Sequence, residues 1–270
     1  MDLGLNAKAC AVTGASRGIG REVARMLCAE GAQVLLVARS EDPLVDAADE
    51  CGRAGAPEHG RADALALDVT VPDAGERMVA EAEDRFGRLD VVVNNAGTAS
   101  WRDLDDVPDE DWQSAWEVNV MAPLRAMRAA IPAMRERGWG RIVNVSSSAG
   151  KRPSANMPEY SVAKAAELSL SRLFADRYAK DGIVVNAVCP GPTKSEMWMD
   201  EGGLLDQSRE LAGLGTREEA LEVAGSKRPI GRLADVEEVA AAIVFLCSER
   251  ASYVAGAAWS VDGGTVQVII

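Results

Sequence analysis

An α/β fold, with a doubly wound parallel sheet of about seven strands flanked by helices, is what the order of patterns along these 270 residues predicts. Three observations carry it. Short apolar runs alternate with longer amphipathic stretches almost from end to end. Several of the runs are β-branched and apolar on both faces, as strands covered by helices on each side must be. A glycine-rich turn joins the first run directly to the first amphipathic stretch.

Strands are expected at residues 9–13, 33–38, 64–67, 91–94, 141–146, 184–188 and 257–261, and helices at 20–30, 44–54, 73–86, 110–135, 160–180 and 236–247. Right-handed crossovers then lay the strands parallel. Pro108 and Pro158 suit first helical turns, where an N–H has no partner to lose. Gly31, Gly87 and Gly182 follow periodic stretches, where a left-handed cap favours glycine. Residues 195–232 break the rhythm, with Gly202, Gly203, Gly213, Gly215 and Gly225 set among acidic residues. This segment reads as a helical insertion or a substrate lid. Without an internal repeat or a low-complexity linker, residues 1–270 read as one domain.

Composition removes several classes of function. The hydrophobic fraction is 47% and the charged fraction 26%, ordinary for a globular protein. No apolar run reaches membrane-spanning length, and the first residues resemble no secretory signal, so no membrane association and a cytoplasmic location are expected. A net charge of −13 opposes binding to nucleic acid or anionic lipid. Cys10, Cys28, Cys51, Cys189 and Cys247 are scattered and read as reduced core residues. The single histidine, His59, sits in a polar loop with Pro57, Glu58 and Gly60. One histidine builds neither a triad nor a His-based metal site, so no metal is expected. Acid/base chemistry must come from Tyr, Lys, Asp or Glu.

The first strand runs into Thr13-Gly14-Ala15-Ser16-Arg17-Gly18-Ile19-Gly20 and then into a helix. Glycines allow the tight turn, let backbone approach a pyrophosphate and permit the helix to pack on the strand, while the helix N-terminus offers free N–H groups to phosphate. The second strand ends in Ala38-Arg39 with no acid at its tip. Arg17 and Arg39 would accommodate a 2′-phosphate where a carboxylate would have accepted free ribose hydroxyls, which favours NADP(H) over NAD(H).

Tyr160 and Lys164 are four residues apart and share one helix face. A phenol with a pKa near about 10 is a poor proton exchanger at neutral pH, and a neighbouring ammonium favours its ionised form. Ser147, in Ser146-Ser147-Ser148, supplies a hydroxyl that can donate to a substrate oxygen as charge develops. Taken singly, these residues are an exposed i,i+4 pair and a strand-end turn. Their conjunction with a nucleotide-binding turn makes a site.

These motifs identify the chain as a member of the short-chain dehydrogenase/reductase family, with the resemblance running to Val261-Asp262-Gly263-Gly264. Thr13–Gly20 fits TGxxxGxG, Asn94-Asn95-Ala96-Gly97 fits NNAG, and Tyr160 to Lys164 fits YxxxK with Ser147 thirteen residues before the tyrosine. Asn119 matches the family's catalytic asparagine. The resemblance implies a Rossmann fold and a catalytic set of Asn119, Ser147, Tyr160 and Lys164. It also implies that Lys164 holds the nicotinamide ribose and that Asn119 fixes a proton-relay water. Gly14, Ser16, Arg17, Gly18, Ile19 and Gly20 would receive the pyrophosphate end of the cofactor, with Asp68 and Val69 at its adenine. Asn95, Ala96 and Gly97 would line it further along, and Pro190, Gly191, Thr193 and Ser195 would meet the carboxamide. The family often has threonine where this chain has Ser195.

Substrate contacts in this family come from loops, here 98–102, 148–157 and the segment after Ser195. They carry Trp101, Met157, Met197 and Trp198 as candidate apolar lining. Within the family the chain looks most like the 3-oxoacyl-carrier-protein reductases. Yet Gly138 and Asp181 stand where many of those place carrier-binding arginines, although Arg135, Arg137 and Arg141 lie near the first position. The leading expectation is therefore an NADP(H)-dependent oxidoreductase acting on a free small ketone or secondary alcohol. A 3-oxoacyl-carrier reductase and a non-catalytic dinucleotide sensor are the alternatives. The resemblance further implies a homotetramer or homodimer, and the apolar tail 266–270 suits burial at such an interface.

Overall fold

The computed structural model of the chain describes residues 1–55 and 60–267. His59 and the last three residues of the tail lie outside the described residues. Seven parallel strands form one sheet in the order β3-β2-β1-β4-β5-β6-β7. They are β1 (Ala9–Thr13), β2 (Gln33–Ala38), β3 (Arg61–Ala66), β4 (Val91–Asn94), β5 (Gly140–Val145), β6 (Ile183–Pro190) and β7 (Ala258–Val261). The order reverses between β1 and β4, so a crevice opens beyond their carboxyl ends, the place where open α/β sheets bind ligands.

The helices are α1 (Gly18–Ala29), α2 (Glu41–Ala54), α3 (Ala74–Phe86), α4 (Asp109–Trp116), α5 (Ala122–Arg137), α6 (Ser148–Lys151), α7 (Pro158–Tyr178), α8 (Glu196–Met199), α9 (Leu204–Ala212), α10 (Arg217–Ser226) and α11 (Val236–Cys247). Side chains of a strand alternate between faces, and here both faces are dry. Cys10 and Val12 of β1 pack with Val34, Leu36, Val91 and Val93 against Val23, Leu27, Leu44 and Ile243 of α1, α2 and α11. Ala11, Leu35, Val37 and Val92 face the other way, toward Met78 of α3 and Met127, Ile131 and Met134 of α5. All five cysteines are buried and free. Burial pushes the thiols of Cys28, Cys51 and Cys247 up to about 12, so they are inert.

The structure departs from the sequence expectation at informative places. Strand β3 begins at Arg61 and not at 64, because its pairing with β2 runs from Gln33↔Arg61 through Leu35↔Asp63. Polar Arg61 and Asp63 are tolerated on this edge strand, so apolar patterning missed half of it. Pro108 stands just before α4 and not inside its first turn, whereas Pro158 is the first residue of α7. The helix expected at 110–135 is interrupted by a five-residue π-helical turn, Glu117–Met121. Such turns insert an extra residue and re-aim side chains, often beside a site. Asn119 is at its centre. Segment 195–232 folds into three short helices, α8 to α10, before Thr193 bridges to Ala234.

Candidate active site

A cavity of about 1150 Å³ lies at the crevice between β1 and β4. One end is built by the turn after β1. Thr13 Oγ1 accepts from the N–H groups of Asn95 and Ala96, both at 3.0 Å, and Asn95 Nδ2 donates to Thr13 O at 2.9 Å. These bonds lock the glycine turn to the end of β4. A Cβ on Gly14 would lie 2.9 Å from Ala96 Cα, and Gly14 has a φ of +65°. No side chain fits there, so the turn exposes backbone to the cavity. The cradle suits a diphosphate bound through N–H groups at the start of α1. Gly20 plays a different part: it does not line the cavity. A Cβ there would sit 2.4 Å from Gly14 O, so its role is to let α1 pack against the turn.

The remaining residues assigned to the cofactor line this one cavity: Ser16, Arg17, Gly18 and Ile19 on the turn, Arg39, Asp68 and Val69 beside it, and Asn95, Ala96 and Gly97 along its floor. Pro190, Gly191, Thr193 and Ser195 close it. Asp68 Oδ1 accepts from the Thr70 N–H at 2.9 Å and from its hydroxyl at 2.7 Å. Those bonds hold its carboxyl below the ordinary value. Arg39 has no ion-pair partner among the described residues, but Arg17 Nη1 lies 3.2 Å from Asp200 Oδ2. Arg21 of α1 is also drawn across, 3.5 Å from Glu196 of α8. Of the two arginines proposed for a 2′-phosphate, only Arg39 is unpaired.

The far wall is the amino half of α7. Tyr160, half-buried, and Lys164, fully buried, both reach the cavity, and Ser147 faces them from the end of β5. Lys164 Nζ is 5.8 Å from the Tyr160 ring centre. It donates to Val145 O at 2.8 Å and to Glu167 Oε2 at 2.9 Å, which leaves one N–H free. Ser147 Oγ accepts from the Ala149 N–H at 3.1 Å, so its own hydrogen is free to donate. Asn119 does not line the cavity and is wholly buried behind Gly97. Its Nδ2 donates to Ala115 O at 2.9 Å, while its Oδ1 has no partner. A Cβ on Gly97 would lie 3.1 Å from that oxygen and 3.8 Å from Lys164 Nζ. Three segments remote in sequence therefore meet within one side-chain length.

Trp101, Met157, Met197 and Trp198 also line the cavity. The loop of Trp101 is tied down on two sides. Its N–H donates to Gln207 Oε1 of α9 at 2.9 Å, and the Arg102 N–H donates to Asn156 O at 2.9 Å. Sequence reasoning missed Thr13 as the clamp of the turn and Glu167 as the partner of Lys164. Glu167 was findable, since 160, 164, 167 and 171 fall on one helical face and an acid among them must meet the lysine.

Residues 14–266 match the family model described as enoyl-(acyl carrier protein) reductase. An uncharacterized oxidoreductase of Bacillus subtilis, YvrD, is 35% identical over 270 residues, covering 99% of each chain. The 3-oxoacyl-[acyl-carrier-protein] reductase FabG of Vibrio cholerae is 32% identical over 98% of this chain and 100% of its own. Among solved structures, L-sorbose reductase from Gluconobacter frateurii, complexed with NADPH and L-sorbose, superposes with a TM-score of 0.91 at 36% identity over the whole of both chains.

Proposed function

The chain belongs to the short-chain dehydrogenase/reductase family, and from that premise we propose that Tyr160 is the acid/base of its reaction, with Ser147, Lys164 and Asn119 as its partners. The protein is an NADP(H)-dependent oxidoreductase of ketones and secondary alcohols. The observation that carries the residue assignment is the meeting of Tyr160, Ser147 and Lys164 on the cavity that the glycine turn opens into.

The nicotinamide, when bound, supplies hydride chemistry. The turn from Gly14 to Ile19 would hold its diphosphate, Arg39 its 2′-phosphate, Asp68 and Val69 its adenine, and Pro190, Gly191, Thr193 and Ser195 its carboxamide. The chain's own task is to manage the proton and the developing charge. In reduction, the Tyr160 hydroxyl gives its proton to the carbonyl oxygen, and in oxidation the phenolate takes one from the alcohol. The free hydrogen of Ser147 steadies the oxygen as it becomes negative. Lys164 places a buried positive charge beside the phenol, and its remaining N–H suits a ribose hydroxyl. Asn119 Oδ1, unpartnered behind Gly97, suits a water that passes the proton onward.

Residues 195–232 act as a lid, with Trp101, Met157, Met197 and Trp198 as the apolar substrate wall, and the whole chain works as one catalytic domain. Val162 and Leu173 stand exposed on α7 and Trp116 on α4, which supports a homodimer or homotetramer built through these helices. Free, inert cysteines accord with the cytoplasm.

A second reading, reduction of a carrier-bound 3-oxoacyl group, is supported by the FabG relative. Against it, Arg135 Nε lies 2.9 Å from Asp181 Oδ2, so one of the basic groups near the expected carrier position is already paired. NADPH consumption against a panel of free ketones and a carrier-linked 3-oxoacyl substrate separates the two. Free ketones should turn over with the higher kcat/KM; a clear preference for the carrier-linked substrate would reverse the assignment.

A further inference from the structure

Glu167 is the one carboxylate bonded to the amine that serves the proposed acid/base. It is 1% exposed, lies one helical turn after Lys164 and does not line the cavity, with its Oε2 2.9 Å from Nζ. The helix around it is bonded into the sheet. Ser146 Oγ donates to Lys164 O at 2.9 Å, Ser171 Oγ donates to Glu167 O at 2.8 Å, and Asn144 Nδ2 donates to Ser171 Oγ at 2.7 Å. Lys164 and Glu167 are therefore both fixed.

We propose that Glu167 is a positioning residue that sets how much positive charge the Tyr160 phenol experiences from Lys164. The inference rests on Tyr160 being the acid/base. An ammonium alone in a buried site favours the phenolate, whereas an ammonium paired with a carboxylate is nearly neutral at a distance and favours it less. The groups facing the pair are few. Tyr160 shares its helix, the Ser146 hydroxyl approaches from the end of β5, and the Cys189 thiol approaches from β6, with Lys151 and Asp262 beyond it. Burial pushes the Glu167 carboxyl up, against the pull of Lys164 and Ser146. Burial acts to lower Lys164, but attraction to Glu167 and Tyr160, the hydrogen bond to Glu167 and the Cys189 thiol together hold the ammonium above its ordinary value. With Nζ and Oε2 2.9 Å apart, the two groups form a closed pair. Glu167 so offsets part of the positive charge that Lys164 presents to the Tyr160 phenol.

Tyrosinate absorbance, read as the difference between each protein and the same protein carrying Tyr160→Phe, isolates this phenol from Tyr178 and Tyr253. It needs no cofactor. Expected midpoints run, lowest pH first, Glu167→Gln, Glu167→Asp, wild type. The Gln variant should lie about one unit or more below wild type, the scale of one charge removed from a buried neighbour. The limb over which the rate of alcohol oxidation rises with pH should move by the same amount. Should the Gln variant not fold, the Asp variant against wild type keeps the test. Coincident midpoints, or midpoints in the reverse order, overturn the role of Glu167. Full activity in Tyr160→Phe would instead overturn the acid/base assignment beneath it, so the two failures read differently.

Discussion

The wall made by α7 and the cap made by α8 to α10 face each other across one cavity but are held by opposite means. In the wall, polar groups are buried and bonded to one another: Asn94 to Asn144, Asn144 to Ser171, and Lys164 to Glu167. In the cap, surface ion pairs join the body, with Arg17 and Asp200 each more than half exposed at their side chains, beside the Trp101 N–H bond to Gln207 and the buried Leu204 and Leu205. The cap's more sheltered bond, Arg217 to Asp206, joins α10 to α9 and not to the sheet. A buried charge that loses its partner is costly, whereas an exposed pair contributes little. The difference teaches that the proposed chemistry sits on the wall whose buried polar bonds are the costlier to break.

That contrast is sharpened first by stability. Glu167→Leu strands the Lys164 ammonium and should cost about 3–5 kcal/mol in urea unfolding. Asp200→Ala should cost under about 1 kcal/mol. Comparable losses would break the comparison. Next comes Ser147→Ala, which removes a donor from the rigid wall. Its kcat should fall by about 10²–10³ with NADPH affinity unchanged in a fluorescence titration; an effect on KM alone would move Ser147 from the chemistry to substrate binding. The smallest expected effect is at the cavity rim. Arg39→Asp exchanges the unpaired guanidinium for a carboxylate and should lower the preference for NADPH over NADH about tenfold or more. An unchanged preference would assign the 2′-phosphate to Arg17, and NADPH would then have to displace Asp200.

The same division governs what was legible in the sequence. Residues under strict backbone or periodic constraint were read correctly in kind. Gly14 sits in a turn where no side chain fits, and the alternating cores of β1 and β2 leave little freedom in register. Gly20 answers to the packing part of the glycine pattern, since a Cβ there would lie 2.4 Å from Gly14 O. Asn119 was placed by resemblance, but its π-helical turn was not foreseen, because no local residue pattern marks an inserted helical residue. Edge strand β3 was half missed because Arg61 and Asp63 break the apolar run. The cap was read only as a break in rhythm. Its geometry depends on pairings such as Arg217 with Asp206, 11 residues apart, and Arg17 with Asp200, 183 apart, which leave no periodic trace.

The central claim is that Tyr160 moves the proton. Stopped-flow measurement of NADPH consumption with a reducible ketone, on wild type and Tyr160→Phe, tests it most directly when NADPH binding is followed by fluorescence in the same samples. The account predicts unchanged NADPH binding and a turnover rate lower by about 10²–10⁴, the span of a positioned general acid. Equal turnover in the two proteins would contradict it.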